Sequence, residues 1–130
     1  MFVANTFSVT CSRDGGISAL SLNGYLDAYT APQFEKAIQQ EVDGGQTKIV
    51  VDCAGLTYIS SAGLGVFMSF VEDVREAGGD IKICAVVPNV YQVFEILGFP
   101  ELFEIVPDRA EAIRRFNGVA AASEGGKSEA

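Results

Sequence analysis

From residue 30 onward the hydrophobic period of this chain keeps switching between two values, and that switching leaves few folds open. Residues 48–53 (Lys-Ile-Val-Val-Asp-Cys) form a short, β-branched, mostly apolar run, which suits a strand covered on both faces. Leu64, Phe67, Met68 and Val71 then recur at i, i+3, i+4 and i+7, the stripe of an amphipathic helix that stops at Gly78-Gly79. A strand over 80–87 follows, ended by Pro88. Asn89 caps a short helix carrying Val90, Val93, Phe94 and Leu97, which Gly98 and Pro100 close. Residues 102–106 read as a last short strand, and Asp108 with Glu111 as the capping box of a helix through Phe116. Upstream, 7–12 and 17–22 alternate apolar and small polar residues around the turn Arg13-Asp14-Gly15-Gly16, the pattern of a β-hairpin. Asn23-Gly24 breaks the second strand and leaves 25–29 as a connecting loop. Thr30, Pro32 and Gln33 start a helix with the stripe Phe34, Ala37, Ile38 and Val42, ended by Gly44-Gly45. The predicted order is ββαβαβαβα. Strands separated by single helices pair in parallel through crossovers, so the expectation is one α/β domain with a mixed, mostly parallel sheet.

Function in such sheets gathers on the carboxyl edge, where strands end and helices begin. Two segments fall there: the loop 25–30 and the junction 57–62. The junction puts Ser60 and Ser61 where a helix N-cap is wanted, beside free backbone N–H groups and the positive end of the helix dipole. A serine in that place is either a plain cap or a position where phosphate is bound or attached. The shared edge would set Asp27 near Ser61, although an Asx turn ahead of Thr30 accounts for Asp27 equally well. Gly63 and Gly65 each cost about 1 kcal/mol relative to alanine in a helix. They fit the close approach of another backbone, either a partner's or the domain's own strands. Tyr58, Met68 and Phe70 are candidate anchors for a partner, Phe70 foremost because it lies off the apolar stripe.

Charge and composition remove several alternatives. At 130 residues the chain holds one domain, placed at 1–116, followed by small and polar residues at 117–130 that read as a disordered tail. A formal net charge of −8 repels phosphate backbones and anionic membranes, which argues against direct nucleic-acid binding. The chain has no histidine, so neither a Ser-His-Asp or Cys-His unit nor a histidine-ligated metal can be built within it. Cys11, Cys53 and Cys84 are widely spaced without a C-x-x-C, and read as reduced thiols. Gly63-Leu64-Gly65 is neither a nucleophile elbow nor a dinucleotide fingerprint, since Ile59 and Met68 occupy the other glycine positions. The expectation is a non-catalytic protein with no metal and no cofactor. The first residues lack a secretory signal and no apolar run approaches a membrane span of about 20 residues, so no membrane insertion and a cytoplasmic location are expected.

Residues 58–65 (Tyr-Ile-Ser-Ser-Ala-Gly-Leu-Gly), with Gly24-Tyr25-Leu26-Asp27 and Thr30, resemble the STAS domain of anti-sigma factor antagonists. The likeness continues through Gly78-Gly79-Asp80 and Val93-Phe94-Glu95-Ile96-Leu97-Gly98-Phe99, and covers roughly residues 5–116 in the family's element order. The resemblance implies binding to a partner anti-sigma factor that is also a serine kinase, and phosphorylation of the serine matching Ser61. It implies a partner surface at Gly24, Leu26 and Asp27, joined by Tyr58, Ser60, Ser61, Gly63 and Gly65, and a serine phosphatase as a further partner. One departure stands out: Ser60 occupies the position where phosphorylated members usually carry Asp, which makes Ser60 a second choice of acceptor.

Overall fold

A computed structural model describes residues 7–118. Strand β1 (Ser8–Asp14) turns into β2 (Ile17–Leu26) through Gly15 and Gly16, whose φ values of 58° and 87° are those of the two-residue turn that matches strand twist. Strand β2 then pairs in parallel with β3 (Lys48–Ile59), β3 with β4 (Asp80–Cys84), and β4 with the two-residue β5 (Ile105–Val106). The sheet order is β1-β2-β3-β4-β5, with only β1 antiparallel. This is the mixed, mostly parallel α/β domain that the alternating periods predict.

Alternation along the strands divides the interior in two. Leu20, Leu22, Ile49 and Val51 point to a larger core against helices α1 (Ala31–Asp43), α2 (Ser61–Glu76), α3 (Pro88–Ile96) and α4 (Phe99–Leu102). Ile17, Ala19, Val50 and Cys84 point the other way, to a smaller core under α5 (Arg109–Phe116). Phe67 sits at the centre of the larger core, its ring 5.1 Å from Phe34 and 5.8 to 5.9 Å from Phe94, Phe99 and Phe103. Arg109 fixes α5 to its own face, bonding to Asp52 on β3, Ser21 on β2 and Ser12 on β1.

The structure corrects several element boundaries. Strand β2 is not broken at Asn23-Gly24: Gly24 takes a φ of 97° and the strand continues through a register irregularity to Leu26. Strand β3 runs on to Ile59 because β2 is there to pair with it. Strand β4 stops at Cys84, where Ala85 turns to a φ of 60°, and Pro88 opens α3 in place of Asn89. Gly98 and Pro100 do not merely end α3. Gly98, at a φ of 78°, redirects the chain and Pro100 sits in the first turn of α4, an extra helix that shortens the last strand and makes the order ββαβαβααβα. At α5, Asp108 accepts from the Glu111 N–H as predicted, but the Glu111 carboxylate turns to Arg114 and Arg115, so only half of the capping box forms. Of the expected tail, Asn117 and Gly118 directly follow α5. The rest, together with residues 1–6, lies outside the described residues.

Candidate functional site

The ends of β2 and β3 are laid side by side, and this builds the site. Tyr25 pairs with Tyr58 and Leu26 with Ile59, and the Ser60 N–H donates to the Leu26 carbonyl at 2.9 Å. The residues that follow each bonded pair, Asp27 and Ser61, therefore leave the sheet at one place. Thr57 adds a bond from its hydroxyl to the Gly24 carbonyl at 3.3 Å. The loop and the junction thus share the edge that the sequence pattern assigns them.

The two serines differ sharply. Ser60 holds the N-cap position with extended backbone (φ −107°, ψ 176°), but its hydroxyl caps nothing; Oγ is buried and finds no partner among the described residues. Ser61 opens α2 and is exposed. The first helical bond is donated by Leu64 to the Ser60 carbonyl at 3.0 Å, so the N–H groups of Ser61, Ala62 and Gly63 precede the ladder. They concentrate the positive end of the dipole beside the Ser61 side chain, where an anion is tolerated.

Asp27 folds its loop. Its carboxylate accepts from the Tyr29 and Thr30 N–H groups at 2.9 and 3.2 Å, the Asx turn weighed from sequence. Thr30 does not cap α1. Its hydroxyl accepts from the Asp27 N–H and donates to the Tyr25 carbonyl, both at 2.8 Å, which ties the loop back to the strand.

Not every predicted site residue reaches the surface. Leu26 is fully buried, and a Cβ built on Gly63 would stand 2.7 Å from Leu26 Cγ, so these two shape the edge from beneath. Phe70 is only 7% exposed and belongs to the core, which removes it as an anchor. Gly65 has nothing within 4 Å of an added Cβ and lies open on the helix, one turn beyond Ser61. Tyr58 is 47% exposed, and sequence reasoning passed over two further exposed tyrosines: Tyr25, 49% exposed with its ring 5.5 Å from that of Tyr58, and Tyr29, 93% exposed on the loop that Asp27 folds. Period-two alternation through Gly24 would have found Tyr25, since Leu26 beside it is buried. Met68 is also exposed, about two turns along α2 from Ser61. Asn89, expected to cap, instead donates its amide to the Thr57 carbonyl at 3.0 Å and fastens α3 to the junction. Segments 24–30, 57–65 and 85–91, which build the edge, are aromatic and polar and contain no lysine or arginine.

Two of the three thiols, Cys53 and Cys84, are buried, and Cys11 is exposed on β1. Burial pushes Cys53 well above the ordinary thiol range and Cys84 up to about 12. Among the described residues no group of His, Cys, Asp and Glu is arranged to hold a metal, and no helix is long and apolar enough to cross a membrane.

The family model of the STAS domain matches residues 9–112. BtrV of Bordetella bronchiseptica, assigned as an anti-sigma factor antagonist, is 33% identical over 108 residues, 83% of this chain and 93% of its own. An anti-sigma factor antagonist from Mycobacterium paratuberculosis has a solved structure with a TM-score of 0.80 at 22% identity, over 86% of this chain and 95% of its own. The phosphorylated form of the Bacillus cell fate determinant SpoIIAA superposes with a TM-score of 0.66 at 21% identity, over 85% and 98% of the two chains.

Proposed function

Since this chain belongs to the STAS-domain family, we propose that it is an anti-sigma factor antagonist whose carboxyl edge binds an anti-sigma factor and so frees the sigma factor. The anti-sigma factor is also the serine kinase that phosphorylates Ser61 and ends the interaction; a serine phosphatase resets it. The observation that carries this reading is the contrast at the α2 N-terminus, where Ser61 is exposed among exposed tyrosines while the Ser60 hydroxyl is buried. A kinase must reach the hydroxyl it modifies, so Ser61 is the acceptor and Ser60 the second choice.

Phosphorylation adds about −1.5 to −2 charges and three acceptor oxygens. The free N–H groups of the first turn and the helix dipole accept that anion without loss of the fold. The effect falls on the interface: a bulky dianion enters a contact that already holds the Asp27 carboxylate. Coupling of about 1–3 kcal/mol changes affinity by roughly 5- to 150-fold, enough to exchange partners.

The test is intact-mass and site-mapping spectrometry of the protein incubated with ATP and its anti-sigma kinase. One phosphate, located on Ser61, absent from Ser61→Ala and accompanied by loss of partner binding, is the expected result. Ser60 in the usual Asp position favours a second reading, a scaffold or accessory subunit of a signalling or membrane transport complex that is never phosphorylated. Absence of phosphate on both serines, with the kinase shown active on another substrate, would leave that reading in place of the switch.

A further inference from the structure

Ser60 Oγ is shut off from solvent and bonds to nothing among the described residues. The backbone around it is that of an ordinary N-cap, where a serine hydroxyl accepts from the N–H two or three residues on. Here that bond is not made. A buried hydroxyl left without a bond costs stability, so its presence asks for a use. Next to it stand further donors. Helix α2 runs 16 residues from Ser61 to Glu76, and its first intrahelical bond is donated by Leu64. The N–H groups of Ser61, Ala62 and Gly63 therefore stand at the positive end of the dipole, ahead of the ladder. The junction 57–65 carries no lysine or arginine, so its own donors to an anion are neutral ones. With Ser60 they are three N–H groups and one O–H. A phosphoryl group brings three strong acceptor oxygens. Ser61 is exposed and directly follows Ser60, so a phosphate on its Oγ is delivered to these donors by its own ester bond. Ser60 meets it by one rotation about Cα–Cβ, which swings the hydroxyl from the interior to the cap position over the first turn.

We propose that Ser60 and the N–H groups of residues 61–63 form a holding site for a phosphate esterified to Ser61, closed by the Ser60 hydroxyl as donor. The proposal rests on the reading of Ser61 as the acceptor for the origin of that phosphate; the site itself belongs to the start of α2. In the unmodified protein the hydroxyl is idle. In the modified one it donates to a phosphate oxygen, which favours the dianion over the monoanion. Ser60 is thus a positioning residue: it draws the phosphate onto the helix and fixes the shape of the modified edge.

The test places phosphoserine at position 61 of the full chain during translation, so that no kinase is needed, and follows the phosphate by phosphorus NMR across pH. Its second pKa, ordinarily about 6, is expected to lie about 0.5 to 1 pH unit lower beside Ser60 than in Ser60→Ala, since hydrogen bonds to the charged form favour it. Ser60→Thr keeps the hydroxyl and is expected to follow the unsubstituted chain. Ser60→Asp is expected to titrate above Ser60→Ala through like-charge repulsion. The Asp27 carboxylate, which leaves the sheet beside Ser61, is the same in every variant, so the comparison is blind to it. Equal titration of the unsubstituted chain and Ser60→Ala overturns the proposal. Without phosphate, Ser60→Ala is expected to be at least as stable as the unsubstituted chain, because no bond is lost; a lower thermal midpoint would show the hydroxyl already bonded and overturns the proposal too. Inorganic phosphate added to the unmodified chain is expected to leave the amide resonances of residues 61–63 in place. Shifts matching those of the phosphoprotein would make this a site for free phosphate and overturn the esterified form. Failure of an active anti-sigma kinase to modify Ser61 speaks against the switch, and the titration is read independently of it.

Discussion

Residue by residue, the two glycines of the α2 start carry the clearest lesson. In the sequence Gly63 and Gly65 are equivalent, both small residues in a helical turn, both explicable by close approach. The structure separates them: an added Cβ on Gly63 would meet Leu26 Cγ at 2.7 Å and Ile59 Cγ1 at 3.0 Å, whereas Gly65 faces open space. Periodicity could not distinguish them, because the difference depends on where β2 and β3 end beneath the helix. Gly63→Ala is therefore expected to destabilise by about 1–3 kcal/mol through overpacking. Gly65→Ala should be neutral or stabilising by up to about 1 kcal/mol, the ordinary helix preference. Urea unfolding of both variants checks the pair. If a partner backbone lies against Gly65, the same Gly65→Ala protein will bind the anti-sigma factor more weakly despite its sound fold. The serines follow similar logic: the sequence placed both at a cap, and only the packing shows that Ser60 turns its hydroxyl inward.

Among the elements, what proved legible was the type and order of all but α4; their ends depended on neighbours. The run 48–53 announced a strand, but β3 extends to Ile59 because Leu26 and Tyr25 supply a partner for its second half. The four-residue α4 was invisible, since Pro100 in a first turn and Pro100 as a stop look alike before the path of the chain is known. Ion pairs between elements were equally hidden. Arg13 of β1 grips the Glu41 carboxylate of α1 with two bonds of 2.9 Å, and Ser18 of β2 donates to it at 2.6 Å, so one nearly buried carboxylate locks the hairpin to the helix. The Arg13 guanidinium, more than the opposing effect of burial, holds the Glu41 carboxyl below its usual range. A depressed folded-state value stabilises the fold above the ordinary glutamate pKa of about 4.3, and that contribution disappears as pH falls through the folded value. Arg13→Ala is expected to lower the thermal midpoint near neutral pH, where the lock is whole. The difference from the unmodified protein should narrow steadily as pH is lowered from about 5 toward 3. A midpoint difference constant across that range would mean that Glu41 does not carry the lock.

For the whole molecule, the site is held in place by the aromatic centre on which four helices converge. Phe67 comes from α2, the helix that Ser61 opens, and its ring meets Phe34 of α1, Phe94 of α3, and Phe99 and Phe103 at and after α4. It is fully buried. Removing it leaves a cavity bounded by elements that are also tied at the carboxyl edge, through Ser60 to Leu26 and Asn89 to Thr57. Phe67→Ala should cost about 3–5 kcal/mol, a large share of the 5–15 kcal/mol expected for a domain of this size. The fold is retained at low temperature, but the angle at which α2 presents Ser61 is no longer fixed by packing. The expected signature is a lowered thermal midpoint together with weaker anti-sigma factor binding measured well below that midpoint. Phe67→Leu separates the two effects, because it keeps most of the volume and should restore binding before it restores full stability. Unfolding loss with unchanged affinity in Phe67→Ala would show that the edge is set by its own bonds to β2 and α3, independently of the core.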